Sequence, residues 1–138
     1  MLSGNQVQNI YWILKTEPSA YSYADLEHDG QTRWDGVRNY QARNNLRAMK
    51  KGDLCLIYES VGPKEIIGTA TVIRESYPDS KDTAWVCVDL KLGKRLKRPI
   101  SLATLKADPV LKNISLVKQS RLGVCPVTQK EWALLISS

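Results

Sequence analysis

The middle of the chain most constrains the fold, because it predicts three β-strands in succession. Apolar and β-branched residues fill 53–59, 65–75 and 84–90, and the last stretch alternates between two faces with the two-residue period of a strand. Gly62 and Pro63 separate the first two stretches and favour a turn there. We therefore expect a fold built around a β-sheet.

Further strands are expected on both sides of this central group. Residues 10–15 are rich in β-branched and aromatic side chains and run into Pro18, which ends regular strand pairing. The stretch 94–99 fits either a fourth strand or a basic loop, and 115–127 indicates a last, irregular strand. The sequence thus predicts a sheet of about five strands.

Short helices are expected between the strands. Ser22 and Asp25 form an N-terminal capping pattern, and Gly30 suits the end of that helix. After a loop at 31–39, a second helix is predicted over 40–50, ended by Gly52.

Two more helices are expected in the last third of the chain. Ser101 can cap a helix over 101–106, and a Thr-x-x-Glu capping box starts another over 128–136. The capping box is formed by Thr128 and Glu131, and the side chains expected to plug the core from this helix are Trp132, Leu135 and Ile136.

Strands with short helices at their turns indicate a mixed α/β (α+β) fold, a small barrel of about five to six strands. A chain of 138 residues is of the size of one domain, which we place at 10–138 after a loose segment at 1–9. It is long enough to bury a core without metals or disulfides. We expect a monomer.

The composition favours a cytoplasmic protein. No apolar run approaches the roughly 20 residues of a membrane span, and the N-terminus lacks a signal-peptide pattern. Cys55, Cys87 and Cys125 lie far apart among aliphatic residues, which predicts core thiols and neither disulfides nor a metal site. No cofactor is expected.

The formal charge of +6 favours polyanionic partners. The positive residues form two clusters in sequence. These clusters are Arg33, Arg38, Arg43, Arg47, Lys50 and Lys51, and then Lys91, Lys94, Arg95, Lys97 and Arg98.

The predicted helix at 40–50 carries an apolar and a basic stripe side by side. The apolar stripe is Ala42, Leu46 and Met49, and the basic stripe is Arg43, Arg47 and Lys50. The basic stripe is either a solvated face or a row of phosphate contacts. Like charges four residues apart repel each other when no anion lies between them.

The chain offers no recognisable catalytic set. Its one histidine, His28, lies between Glu27 and Asp29 near a helix end, where we expect it to face solvent. No HExxH, phosphate-binding loop or GxGxxG motif occurs, so metal and nucleotide-cofactor enzymes are not favoured.

Aromatic and polar residues instead gather at predicted strand ends and in the 31–39 loop. Aromatic rings stack on nucleobases while Asn, Asp, Glu or Ser reads their edges. For Trp12 and Tyr58 a role as core aromatics remains open. These candidates are Trp12, Lys15, Thr16 and Glu17; Trp34, Asp35, Arg38, Asn39 and Tyr40; and Tyr58 and Ser60.

Several stretches together resemble the EVE domain family. They begin with YWILKTEP at 11–18 and WDGVRNYQARNNL at 34–46, and continue with KEIIG at 64–68 and YPD at 77–79. KRP at 97–99 and QSRL at 119–122 complete the match, which spans the chain from about residue 10 to its end. The resemblance implies a PUA-like pseudo-barrel that binds modified bases in DNA or RNA, with the base flipped into a pocket.

By position, the resemblance implies a base pocket with three parts. Its walls are Trp12, Lys15, Thr16 and Glu17 on one side and Trp34, Asp35, Gly36, Val37, Arg38, Asn39 and Tyr40 on the other, with Tyr58 and Ser60 as its floor and Arg121 nearby. Phosphate contacts are expected from Arg43, Arg47, Lys50, Lys97 and Arg98. Glu59 stands where the family often has His, and Gly123 where Ser is common.

Three functions remain as hypotheses. The first is a non-catalytic reader of a modified base in nucleic acid. The second is a hydrolase like some relatives in the ASCH group, which use a Lys, a Thr and an acidic residue, types that Lys15, Thr16 and Glu17 supply. On a strand, however, Lys15 and Glu17 would share one face and Thr16 the other. The third is a module that binds acidic proteins through its basic face.

Overall fold

The computed structural model describes residues 10–137, which form one mixed sheet with short helices. In chain order the elements are β1 (Tyr11–Thr16), α1 (Tyr23–Asp29), β2 (Gln31–Trp34), α2 (Tyr40–Ala48), β3 (Leu54–Glu59), β4 (Glu65–Pro78), β5 (Val86–Ser101), α3 (Leu102–Ala107), a 3-10 turn (Leu111–Asn113), α4 (Ser115–Lys118), β6 (Val124–Val127) and α5 (Gln129–Ile136). The prediction for residues 1–9 lies outside the described residues.

The strands form one six-stranded sheet in the order β2-β5-β4-β3-β1-β6. β1 runs parallel to β3, and the other neighbouring pairs are antiparallel. Helix α2 contacts β6 at one edge and also β5 and β4 towards the other, so the sheet must curl around this helix. This arrangement confirms the expected mixed α+β fold.

The helix caps confirm the sequence pattern. Ser22 and Asp25 form a capping box at α1, and Ser101 caps α3. Helix α2 is capped by Asn39, which the sequence pattern does not assign as a cap. Thr128 and Glu131 form the expected box at α5. These predictions hold because a cap involves only groups within one helical turn.

Three element predictions were wrong in part. The expected loop at 31–39 begins with β2, whose residue Trp34 pairs with Val88 of β5. Residues 86–90 of the first stretch and all of 94–99 belong to one long strand, β5, with register shifts against β4. The expected irregular strand at 115–127 starts as helix α4, and only its last four residues are strand.

The core confirms most burial predictions. Ala42, Leu46 and Met49 are buried, and so are all three cysteines. Trp132 and Leu135 are buried as expected, whereas Ile136, the last residue of α5, is 51% exposed. His28 faces solvent, with 90% of its side chain exposed.

Helix α2 ends at Ala48, before the predicted residue 50. The cause is the buried carboxylate of Asp53, which accepts hydrogen bonds from the backbone N of Lys50 at 2.9 Å and from Trp12 Nε1 at 3.0 Å. These bonds fold residues 50–53 into a turn. Within residues 10–137, no helix has the length and apolar character needed to cross a membrane.

Candidate nucleobase pocket

A cavity of about 590 Å³ lies beside the end of β1. Its volume is within the range of small-molecule pockets, about 300–1,000 Å³. The lining comes from the end of β1 and the turn after it, from β2 and the following loop, and from the approach to β6. It consists of Lys15, Thr16, Glu17, Ala20, Tyr21, Thr32, Arg33, Trp34, Asp35, Gly36, Val37, Arg38, Asn39, Ala42, Arg121 and Gly123.

The first wall is made by the end of β1 and a turn that folds back on it. Lys15, Thr16 and Glu17 all line the cavity, although a continued strand would place Thr16 on the opposite face. The backbone N–H groups of Ala20 and Tyr21 both donate to the carbonyl of Glu17, so the strand ends here and a tight turn follows. All three residues border the cavity, and the chain turns directly after them.

Each of these three side chains already makes a hydrogen bond within the protein. Lys15 Nζ donates to the carbonyl of Ser120, and Thr16 Oγ1 donates to the carbonyl of Tyr21 at 2.5 Å. Glu17 accepts hydrogen bonds from the hydroxyl and backbone N of Ser19, which lower the pKa of its carboxyl. Glu17 is therefore held as a carboxylate at neutral pH.

An aromatic corner forms the back of the cavity. The rings of Tyr21 and Trp34 meet edge to face, with centroids 6.4 Å apart and an interplanar angle of 88°. Trp34 is 8% exposed and belongs to the core cluster, while Tyr21 is half-buried and donates its hydroxyl proton to Asp29 at 2.8 Å. Burial raises the pKa of Tyr21, so its phenol stays neutral at pH 7.

The loop at 35–39 is held in place by the buried side chain of Asp79, which is 1% exposed. Its carboxylate accepts hydrogen bonds from the backbone N of Gly36 at 3.1 Å and of Lys81 at 2.9 Å, and from Arg38 at 3.3 Å. These backbone hydrogen bonds lower the pKa of Asp79. Gly36 has φ +77°, a left-handed conformation that disfavours residues with a Cβ.

The cavity has a positive balance of charge and one carboxylate open to a ligand. Four cationic side chains line it against the two acidic ones, Glu17 and Asp35; the cationic ones are Lys15, Arg33, Arg38 and Arg121. Both carboxylates are exposed, but Asp35, unlike Glu17, accepts no hydrogen bond from any residue within 10–137, and its charge acts on the neighbouring Arg33. The site can therefore receive a polyanion and offer one acceptor to a donor group.

Four of the fourteen expected pocket residues do not line this cavity. Trp12 is 1% exposed and is held in the core by Asp53, and Tyr40 is 67% exposed outside the cavity. Tyr58 and Ser60 line a second cavity of about 370 Å³, which shares only Lys15 with the first.

The second cavity is bounded by three lysines and no carboxylate. Lys15, Lys64 and Lys106 line it together with Tyr58 and apolar residues of α3 and α4. Burial raises the pKa of Tyr58. Tyr58 thus lines a neighbouring cavity and does not form the floor of the larger one.

The two positions that differ from the family pattern have different surroundings. Glu59 lines neither cavity, because its Oε2 accepts a hydrogen bond from the backbone N of Tyr23 at 2.8 Å, at the start of α1. Gly123 does line the larger cavity, and a Cβ built there meets nothing within 4 Å. A glycine at 123 therefore leaves more room in the pocket than a serine would.

None of the five residues expected to contact phosphate lines the larger cavity. Arg47 is exposed on α2, Lys50 follows the end of that helix, and Lys97 and Arg98 are exposed in β5. Arg43 is different, because its guanidinium donates to the carbonyl of Ala84 at 3.0 Å. The residues of the predicted basic stripe on α2 therefore differ in their surroundings.

Several cavity residues were missed from the sequence. Tyr21 lies next to a predicted helix cap and Thr32 in a predicted loop, and Asp79, which holds the cavity loop, belongs to the YPD motif. Their roles depend on β2 pairing with β5, which no local pattern indicates. Within residues 10–137, no three His, Cys, Asp or Glu side chains come together as metal ligands.

This fold and this cavity define a small α+β domain built on one mixed six-stranded sheet. The EVE domain family model matches residues 10–138, and the chain belongs to the EVE domain family. The resemblance drawn from the sequence motifs is thereby confirmed.

Two relatives show how far the similarity extends. Human thymocyte nuclear protein 1 is 35% identical over 164 aligned residues, covering 92% of this chain and 72% of the human protein. The crystal structure of human THYN1 in complex with 5-methylcytosine-containing DNA has a TM-score of 0.85 at 33% identity, covering 92% of this chain and 95% of that one. The NMR structure of Rpa0253 from Rhodopseudomonas palustris has a TM-score of 0.87 at 45% identity, covering 92% and 90%.

A more distant likeness concerns the fold alone. ASCH from Zymomonas mobilis has a TM-score of 0.56 at 14% identity, with 92% of this chain and 94% of that chain covered. It supports a shared architecture between EVE and ASCH domains and carries no information on activity.

Proposed function

We propose that this chain is a non-catalytic reader that takes a modified nucleobase of a nucleic acid strand into the larger cavity. The observation that carries the proposal is the meeting, in one cavity, of the Tyr21–Trp34 corner, the open carboxylate of Asp35 and four cationic side chains. Aromatic corners accept the faces of bases, and cations attract the phosphates beside them. Its human relative, crystallised with 5-methylcytosine DNA, makes methylated cytosine the first ligand to test.

Among the pyrimidines, Asp35 favours cytosine over thymine. A carboxylate accepts a hydrogen bond from the exocyclic amine of cytosine, a donor that thymine lacks. Asp35 is exposed at the cavity and has no hydrogen bond to give up before it binds. The methyl group would lie against the aromatic corner or in the space left at Gly123.

The test is a calorimetric titration with short DNA strands that differ only in one central cytosine or 5-methylcytosine. We expect tighter binding to the methylated strand, and roughly tenfold weaker binding of it by Asp35→Asn. Asp82→Asn is the matched control, since it removes the same charge from an exposed loop residue outside the cavity. Equal binding of both strands, or equal effects of the two variants, would contradict the proposal.

Hydrolysis of a modified nucleoside is the second candidate, because Lys15, Thr16 and Glu17 all line the cavity. Their hydrogen bonds to Ser120, Tyr21 and Ser19 oppose this role, since each polar group is held by a neighbour. Incubation with an N4-modified cytidine, followed by chromatography, separates the two functions. Product formed by the wild-type protein and absent with Lys15→Ala would establish the enzyme.

We also propose that residues 10–138 act as a single domain. Support comes from one continuous sheet and one core cluster within the described residues. Limited proteolysis should leave this region intact.

A further inference from the structure

A second aromatic surface lies outside the cavity and is built from Tyr40 and Trp85. Tyr40 is the first residue of α2 and Trp85 directly precedes β5. Their ring centroids are 5.1 Å apart with a tilt of 30°. Tyr40 is 67% exposed, so it contributes little to the core. We call this surface the Tyr40–Trp85 platform.

Two arginines are fixed against this platform. The guanidinium carbon of Arg43 lies 5.0 Å from the centre of the Tyr40 ring and 5.4 Å from that of Trp85. Arg38 lies 5.6 Å from the Trp85 ring. Such cation–π contacts hold a guanidinium in place while leaving some of its N–H donors available.

The Arg43 side chain also carries an unmet hydrogen-bonding group. One terminal nitrogen donates to the carbonyl of Ala84, whereas Nε is buried and has no partner within the described residues. Burying an unpaired donor costs free energy. The second terminal nitrogen of Arg43 makes no hydrogen bond within the described residues, so it remains available to a ligand.

The platform adjoins the mouth of the larger cavity. Arg38 and Asn39 line that cavity, and Tyr40 is the next residue along the chain. Arg38 thus contacts both the cavity and the platform. A nucleotide strand with one base in the cavity would bring its next nucleotide to this surface.

We propose that the Tyr40–Trp85 platform stacks the base next to the one held in the cavity, and that Arg43 binds the phosphate between them. This inference rests on the proposed function and extends it. The ligand is a strand of two or more nucleotides, of which one base enters the cavity and the next stacks on the platform. Stacking on an aromatic ring tolerates every base. The platform therefore strengthens binding without selecting the neighbouring base.

The test compares three ligands that share one 5-methylcytosine. They are the free nucleoside, a trinucleotide with normal flanking bases, and the same trinucleotide with abasic flanking sites. The wild-type protein should bind the normal trinucleotide roughly tenfold more tightly than the abasic one. Tyr40→Ala should abolish that difference, and Tyr40→Phe, which keeps the ring, should restore it.

The contribution of Arg43 is tested with Arg43→Gln and a charge control, Lys130→Gln. Lys130 is exposed on α5 and lines neither cavity. Arg43→Gln should weaken both trinucleotides several-fold more than Lys130→Gln does and should reduce the salt dependence of binding. Thermal unfolding of each variant confirms that the fold is kept.

The possible failures are distinguishable. If the wild-type protein binds neither nucleoside nor strand, the proposed function fails and this inference fails with it. If it binds the normal and abasic trinucleotides equally, or if Tyr40→Ala leaves their difference unchanged, only the platform inference is overturned. Binding of an acidic peptide that is lost in Tyr40→Ala, with no effect on trinucleotides, would assign the platform to a protein partner.

Discussion

Asp79 should be the residue on which the shape of the cavity wall depends. Its buried carboxylate holds the backbone of Gly36 and Lys81 and the side chain of Arg38. In Asp79→Ala the two backbone donors lose their acceptor, and Arg38 keeps only its hydrogen bond to the carbonyl of Val37 at 2.9 Å. These donors lie on exposed residues that water can reach. The loss of each hydrogen bond therefore costs about 1 kcal/mol, and not the larger amount that applies to a buried donor left without a partner. The expected loss in free energy of unfolding is about 3 kcal/mol.

Thermal unfolding followed by circular dichroism measures this loss. For a chain of 138 residues, 1 kcal/mol corresponds to about 3–4 °C in Tm, so Asp79→Ala should melt about 10 °C below the wild type. The matched control is Asp82→Ala, which removes an exposed carboxylate that accepts one hydrogen bond, from the backbone N of Ala84 at 3.0 Å. Melting of the two variants within about 2 °C of each other would refute the anchoring role of Asp79.

Three further predictions concern pH and local packing. Hydrogen bonds from Lys81 and Gly36 lower the pKa of Asp79 in the folded state, so its contribution to stability is complete above about pH 4 and is lost as the pH falls through that lowered pKa. In urea unfolding, the difference in free energy of unfolding between wild type and Asp79→Ala should be constant from pH 7 to 5 and shrink below pH 4. A difference that persists unchanged below pH 4 would contradict this. Glu59→Gln keeps an acceptor for the backbone N of Tyr23, so it should lower the free energy of unfolding by less than about 1 kcal/mol. It should not change which base the protein prefers, and an altered preference in a calorimetric titration would place Glu59 at the ligand. Gly68→Ala should lose about 1–3 kcal/mol in urea unfolding, because its Cβ would lie 2.3 Å from the Tyr23 ring; Gly123→Ala, whose Cβ meets nothing within 4 Å, is the control, and equal stability of the two would be inconsistent with the packing.

Local patterns were read correctly wherever their partners lie within one or two turns. The capping pairs Ser22–Asp25 and Thr128–Glu131 are examples. So is the apolar stripe of α2, since a helix repeats every 3.6 residues wherever it packs. Boundaries that depend on distant groups were less accurate, as at residue 48, where α2 ends because Asp53 binds Lys50 and Trp12.

In the candidate site, too, local motifs predicted more than contacts between distant residues could. The motif at 34–46 drew attention to the loop that lines the cavity, and ten of the fourteen residues expected in the pocket lie along that one cavity. The other four were separated by burial and by topology. Trp12 points into the core, and Tyr58 and Ser60 line a different cavity because β3 lies beside β1 on the side away from β6.

The sequence by itself determined the α+β character, the family, most helix starts and the stretch of chain that carries the site. All of these depend on interactions between near neighbours or on motifs preserved as strings of residues. Only the tertiary structure decided that Asp79 fastens the cavity loop, that Tyr21 meets Trp34, and that Tyr40 lies outside with Trp85. Those contacts join residues 13 to 45 positions apart, and their geometry exists only once the sheet has curled and brought β2 against β5.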